Sequence, residues 1–167
     1  MKKILFAGAE AMPFAATGGL GDVMGSLPIA LKAAHPDWDI RAVMPLYSKI
    51  SDDYRAEMKF ECWTTVAVSW RQQYCGIFSL ERGGVKYYFI DNEYYFKRDA
   101  LYGFFDDGER FAFFSNAILA LMGMVDFFPD VYSANDWQTA LSVILLKRRN
   151  GMSPGYSGVK AVYTIHN

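Results

Sequence analysis

The chain has 167 residues, enough for one domain that buries roughly 70% of the surface its unfolded form exposes, so a full core needs no disulfide or metal staple. Apolar residues at 52%, with thirteen Phe and eleven Tyr, exclude a disordered chain and leave aromatic surface to be packed or used for stacking on sugars or bases. A net charge of −1 with dispersed Lys and Arg offers no basic tract for a phosphate backbone, which argues against nucleic acid as a partner.

The start imitates a signal peptide, with Lys2 and Lys3 ahead of an apolar run, but Glu10 interrupts that run after six residues. Ile4 to Ala7 therefore reads as a first buried strand. Leu20 to Ala34 reads as a helix with Val23, Leu27, Ala30 and Leu31 on its apolar face, closed by His35-Pro36-Asp37. Ile40 to Met44 supplies a second parallel strand ending at Pro45, so residues 1–45 form a right-handed strand, helix, strand crossover. From Glu61 to Ile90 the texture turns β-branched and aromatic, with Gly83-Gly84 before Val85, which predicts an antiparallel hairpin or meander inserted after the second strand. Asn92 to Asp107, rich in Tyr, Phe, Asp and Gly, reads as an irregular segment whose aromatics line a cleft. Glu109 to Met124 is apolar nearly all round and predicts a core helix. Asp130 to Ala134 is a further strand, Trp137 to Arg149 a helix with Leu141, Ile144, Leu145 and Arg148 in phase, and Val159 to Ile165 a last strand. The fold class is α/β, a doubly wound, Rossmann-like, mostly parallel sheet.

Cys62 and Cys75 lack the spacing of a zinc or redox site and read as buried thiols in a reducing, cytoplasmic compartment. The longest uncharged stretch, Phe111 to Val125, is too short to span a bilayer, so no membrane partner is expected. Two distant histidines suggest neither a metal cage nor a nucleophile pair; no metal is expected.

Ala16 to Asp22, Ala-Thr-Gly-Gly-Leu-Gly-Asp, joins the first strand to the first helix. Glycines at 18, 19 and 21 admit a ligand to the backbone, and a helix N-terminus there favours an anion; a ligand-free tight turn is the alternative. In open parallel sheets ligands sit outside the carboxyl ends of strands. Those ends deliver Glu10, then Asn135-Asp136-Trp137-Gln138, then His166-Asn167, all beside the glycine turn. Asp136 serves as helix cap or as ligand group, His166 as a bonded strand-end residue or as a functional one, and Glu10 equally as partner for an Arg. Tyr94, Tyr95, Phe96 and Trp137 form either core or a sugar-stacking wall.

Lys3-Ile4-Leu5-Phe6 leading into Ala9-Glu10-Ala11-Met12-Pro13-Phe14, then Thr17-Gly18-Gly19-Leu20-Gly21-Asp22-Val23, resembles the start of bacterial glycogen synthases and plant starch synthases. Val43-Met44-Pro45-Leu46-Tyr47, Glu109-Arg110-Phe111, Asn135-Asp136-Trp137 and Thr164-Ile165-His166-Asn167 follow in that family's order, so the resemblance covers nearly the whole chain. It implies a two-Rossmann-domain enzyme that moves glucose from ADP-glucose to the nonreducing 4-hydroxyl of an α-1,4-glucan with retention, using no cofactor beyond the donor. Residues 1–167 resemble the N-terminal, acceptor-side catalytic domain, truncated and lacking the C-terminal nucleotide-binding domain, and inactive alone. The resemblance implies Glu10, Asp136 and His166 as catalytic, and Thr17, Gly18, Gly19, Gly21, Asp22, Tyr94, Gln138 and Asn167 as substrate-binding. Oriented N–H groups and polar side chains would stabilise a leaving diphosphate and an oxocarbenium-like sugar. Two positions depart from the family: Ala16 stands where it usually has lysine, and Gln138 where it usually has histidine. Those departures raise a second expectation, a noncatalytic glucan-binding or interaction module.

Overall fold

The computed structural model describes residues 1–166. β1 (Lys3–Ala7), buried from Ile4 to Ala7, lies inside the sheet with a parallel neighbour on each side, β2 (Asp39–Pro45) and β6 (Val131–Asn135). β5 (Val85–Asp91) extends the parallel set beyond β2, and β7 (Lys160–Thr164) extends it beyond β6. β3 (Lys59–Val68) and β4 (Arg71–Arg82) complete a seven-stranded sheet in the order β3-β4-β5-β2-β1-β6-β7. The inserted meander is thus part of the main sheet, with antiparallel pairing only from β3 to β4 and from β4 to β5. The β4–β5 turn is Gly83-Gly84, at φ 57° and 74°, the left-handed pair that a two-residue hairpin requires.

The first helix, α1 (Gly19–Ala34), is rotated from its expected face. Leu20, Gly21, Met24 and Pro28 are buried, whereas Leu27 is 42% exposed and Ala30 lies at the surface. Small residues set this rotation: a Cβ on Gly25 would lie 2.4 Å from the Met12 carbonyl oxygen, so the glycine edge is the one that fits against the preceding turn. A one-and-a-half-turn helix, α2 (Asp52–Glu57), was not foreseen; its Tyr54 meets the Phe14 ring edge-on, and Phe14 also packs on Tyr87 and Phe89. The Asn92–Asp107 segment contains one helical turn, α3 (Glu93–Phe96), with the Asn92 side chain accepting from the Tyr95 N–H.

α4 (Asp107–Met124) is the expected core helix, buried on several faces from Arg110 to Met122 and packed on β3 and α5 (Ala140–Asn150). Before α5 comes a separate 3-10 turn, Trp137–Thr139, so the expected single helix is two elements. α5 buries Ser142 and Leu146; Leu141 and Ile144, expected inside, are 38% and 59% exposed. Cys75 is buried as expected, with burial pushing its thiol up to about 12, but Cys62 is only half-buried. Among the described residues no helix is long and apolar enough to cross a membrane.

Candidate active site

The chain leaving β1 places Glu10 under the turn that opens α1, where its carboxylate is 1% exposed. A buried carboxylate is tolerated only when donors surround it. Four do: the Thr17 N–H at 2.6 Å, the Thr17 hydroxyl at 2.8 Å, the Tyr102 hydroxyl at 2.6 Å and the Gly18 N–H at 3.3 Å. Thr17 and Tyr102 also meet through their hydroxyls. Burial, and then the bond to Glu10, push the Tyr102 phenol up, which keeps it a donor. Glu10 therefore shapes the glycine turn from beneath.

The three glycines of that turn divide by role. A Cβ on Gly21 would lie 2.2 Å from the Ala16 Cβ, so Gly21 serves internal packing. A Cβ on Gly18 or Gly19 would meet no atom of the chain within 4 Å; what those bare backbones leave open is space outside it. The Gly19 and Leu20 N–H groups begin α1 without an acceptor among the described residues, so a site of partial positive charge faces that space.

Asp136 follows β6 at φ 64° and ψ 176°, a conformation nearly restricted to glycine that costs ~1–3 kcal/mol for other residues. Four bonds hold it: its N–H donates to the Thr164 carbonyl at 2.8 Å, its Oδ1 accepts the Trp137 N–H at 2.8 Å, and its carbonyl accepts the Thr139 N–H at 3.1 Å and hydroxyl at 3.0 Å. It caps the 3-10 turn and keeps Oδ2 without a partner among the described residues, so the capping and ligand-binding alternatives coexist. His166, just past β7, is half-buried with Nε2 3.0 Å from Asn135 Oδ1. The Asn135 Nδ2 donates to the Ala7 and Ser133 carbonyls, so its Oδ1 is the acceptor and the His166 Nε2–H donates to it, while Nδ1 has no partner among the described residues.

These residues share one open cavity of about 470 Å³ at the carboxyl ends of β1, β6 and β7, lined by Glu10, Gly18, Gly19, Tyr102, Asp136 and His166, with Leu20, Val23 and Ile165. A second, of about 480 Å³, is lined by Thr17, Ala16, Lys49, Asp99, Met12 and Leu101 among others.

Other expected site residues lie elsewhere. Asp22 is exposed on the first turn of α1, between the lining residues Leu20 and Val23 but on another face of the helix. Gln138 is 2% exposed and turned into the fold with its Oε1 unpartnered, because the 3-10 turn that Asp136 starts carries it inward. Tyr94 is 60% exposed away from the cavity, and Tyr95 and Phe96 are core residues against Phe113. Of that aromatic wall only Trp137 stays near, 48% exposed with its edge on Phe111 and Tyr102. Asn167 lies outside the described residues.

Tyr102 is the site residue that sequence reasoning missed; Asn135, expected at the strand ends, is there and bonds His166. Tyr102 belongs to the irregular aromatic segment, and the signal that marks it is Arg110, in the quoted Glu-Arg-Phe motif. Fully buried, Arg110 donates to the Tyr95 carbonyl at 2.7 Å, the Leu101 carbonyl at 3.0 Å and the Asp107 carboxylate at 2.6 Å, which fixes the segment that brings Tyr102 to the cavity.

The chain is similar to known proteins in sequence and fold. The family model for the starch synthase catalytic domain matches residues 3–167. Curated glycogen synthases from Lactobacillus acidophilus and Clostridium novyi are 50% and 52% identical over 165 residues, covering 99% and 98% of this chain and 34% of each relative. The catalytic domain of starch synthase IV from Arabidopsis thaliana, solved bound to ADP and acarbose, superposes with a TM-score of 0.85 at 27% identity, over 99% of this chain and 34% of that one. A sucrose-phosphate synthase from Thermosynechococcus elongatus, at TM-score 0.58 and 11% identity, shares the fold alone. The chain spans about a third of the length of the curated relatives it matches and, matched by the family model from Lys3 to its last residue, it belongs to the starch synthase catalytic domain family.

Proposed function

We propose that residues 1–167 are part of the acceptor-side domain of a cytoplasmic, retaining glucosyltransferase that moves glucose from ADP-glucose to the nonreducing 4-hydroxyl of an α-1,4-glucan, completed by the rest of that domain and a C-terminal nucleotide-binding domain. The observation that carries this reading is the meeting of Asp136, His166 and the unpartnered Gly19 and Leu20 N–H groups around one cavity. In this reading the helix N-terminus holds the donor diphosphate as it leaves, since α1 directs its positive end there. The free Asp136 oxygen and the His166 Nδ1 hold sugar hydroxyls, and their rigid supports keep the reacting atoms aligned. Glu10 acts through Thr17, Gly18 and Tyr102, and so is a positioning residue. The Arabidopsis relative, solved with ADP and acarbose, supports a nucleotide diphosphate and a saccharide as ligands.

The test joins residues 1–167 to the C-terminal two-thirds of the Lactobacillus acidophilus glycogen synthase and follows labelled glucose from ADP-glucose into glycogen. The reading expects transfer that Asp136→Asn lowers ~10²-fold or more, as for loss of one preorganised group. Ala16→Lys, which restores a cation beside Thr17, is expected to raise kcat/KM for ADP-glucose. A folded fusion that transfers nothing, with or without the lysine, but still binds maltoheptaose would establish the noncatalytic glucan module instead.

A further inference from the structure

β3 and β4 form the far edge of the sheet, and their two faces differ sharply. After a bulge between Phe60 and Cys62, the pairing sets Trp63 opposite Gly76, Thr65 opposite Tyr74 and Ala67 opposite Gln72, all on one face. That face is open, with Trp63, Thr65, Ala67, Gln72 and Tyr74 exposed, while the alternate residues Val66, Val68, Cys75 and Ile77 are buried. Those five exposed side chains carry no charge.

The aromatics on it are arranged in a particular way. Gly76 leaves a gap opposite Trp63, and the Tyr74 ring lies across it: a Cβ at 76 would be 2.5 Å from the Tyr74 hydroxyl and 3.0 Å from its ring carbon. Tyr74 and Trp63 thereby lie nearly parallel, 25° between planes and 6.2 Å between centroids, with 44% and 59% of their surfaces exposed. Phe60, 48% exposed, continues the stripe against Phe78. The Asn92 amide donates to the Tyr74 carbonyl at 2.7 Å and anchors the platform's backbone to the next segment.

On β5, Asp91 pairs with Gly76 and so shares this face. It lines a cavity of about 260 Å³ together with Ser48, Asp52, Arg55, Glu93 and Lys97. Flat apolar rings beside a hollow of hydroxyl, carboxylate and cationic groups match a pyranose, whose C–H face stacks while its hydroxyls donate and accept at the edge. Three carboxylates against two cations give the hollow no field that would draw a polyanion, and the uncharged platform suits a neutral chain.

We propose that the Trp63–Tyr74 platform and the Asp91 hollow form a second α-glucan-binding site, separate from the Glu10 cavity. The inference rests on the reading above that the polymer is an α-glucan. β5 and β2 lie between β4 and β1, so the platform stands about three strand spacings of ~4.8 Å from the strand that leads to Glu10. Holding one stretch of polymer there raises the effective concentration of its chain ends at the first cavity.

Calorimetry of residues 1–167 with maltoheptaose, paired with retardation in gels containing glycogen, tests this. Trp63→Ala and Asp91→Asn are each expected to weaken the platform site about tenfold, while Trp63→Phe keeps it and Asp136→Asn leaves it unchanged. Circular dichroism and urea midpoints certify that each variant folds, and Asp91→Asn keeps the test alive if Trp63→Ala does not. Glucan binding that only Asp136→Asn weakens would overturn the second site and leave the glucosyltransferase reading standing. No glucan binding by any form would overturn both. Concentration-dependent self-association removed by Trp63→Ala, with no loss of glucan binding, would reassign the face to contact between copies and likewise overturn the proposal.

Discussion

Asp136 shows how a single residue carries two opposed demands. Its positive φ strains the backbone, and that strain persists because the β6 end, the Thr164 carbonyl and the 3-10 turn hold it from three sides. Glycine relieves the strain, whereas alanine keeps it and loses the cap. Urea melts should therefore rank Asp136→Gly above Asp136→Ala by ~1–2 kcal/mol, and both variants should lose glucosyl transfer in the fused enzyme. Equal stability of the two variants would show that position 136 bears no strain. At this scale the sequence was read well where chain order alone decides and poorly where rotation does. Glu10, Asp136 and His166 follow strand ends, and strand ends converge. Asp22 and Gln138 came with the family resemblance, and each is turned out of the cavity by the helical step between neighbours, about 100° in α1 and about 120° in the 3-10 turn.

At the level of elements, Arg110 is the tie between a core helix and an irregular segment. Its guanidinium spans two carbonyls and the Asp107 carboxylate, a fork that no lysine reproduces. Arg110→Lys should cost ~3 kcal/mol, the scale of breaking a buried charged pair, and should speed hydrogen exchange at 101–103, releasing Tyr102 from Glu10. Unchanged exchange there would mean that the segment holds itself. The meander has its own electrostatic tie. Glu61 accepts from Lys86 at 2.8 Å and from Ser79 at 2.6 Å, joining β3 to β4 and β5, and these bonds hold its carboxyl down to about 2 from an ordinary 4.5. A depressed carboxyl stabilises fully above its unfolded value and loses that contribution as pH falls toward its folded one. Wild-type protein should therefore lose more stability than Glu61→Gln between about pH 4.5 and 2, as read by urea midpoints across that window. The element map was legible where period and punctuation agreed, as at Gly83-Gly84 and in α4. It was misread for α1 and α5, whose apolar stripes are broad enough for two faces; the small residues Gly21, Gly25 and Ser142 decided which face lies inside.

For the whole molecule, the sheet has two unlike edges. β3 ends one side with the aromatic platform, and β7 ends the other with every residue exposed. Val162 is 51%, Tyr163 40% and Ile165 74% exposed, and Ile144 of α5 adds 59%. An open apolar edge strand is a template for association. Residues 1–167 alone should self-associate in sedimentation experiments and bind a hydrophobic dye, and Val162→Lys should return them to monomer. A dye-negative monomer at high concentration would show the edge to be protected. By itself the sequence determined the α/β class, the parallel β1, β2, β6 and β7 set, the core helix and the family, because periodicity and ordered motifs are local quantities that a linear reading preserves. Only the tertiary structure decided that β5 joins the parallel set, that Tyr102 and not Tyr94 reaches Glu10, that Asn135 orients His166, and that Gly18 and Gly19 are bare toward open space while Gly21 is bare toward Ala16. Those are properties of distances between segments far apart in the chain, set by how helices and strands fill one common volume.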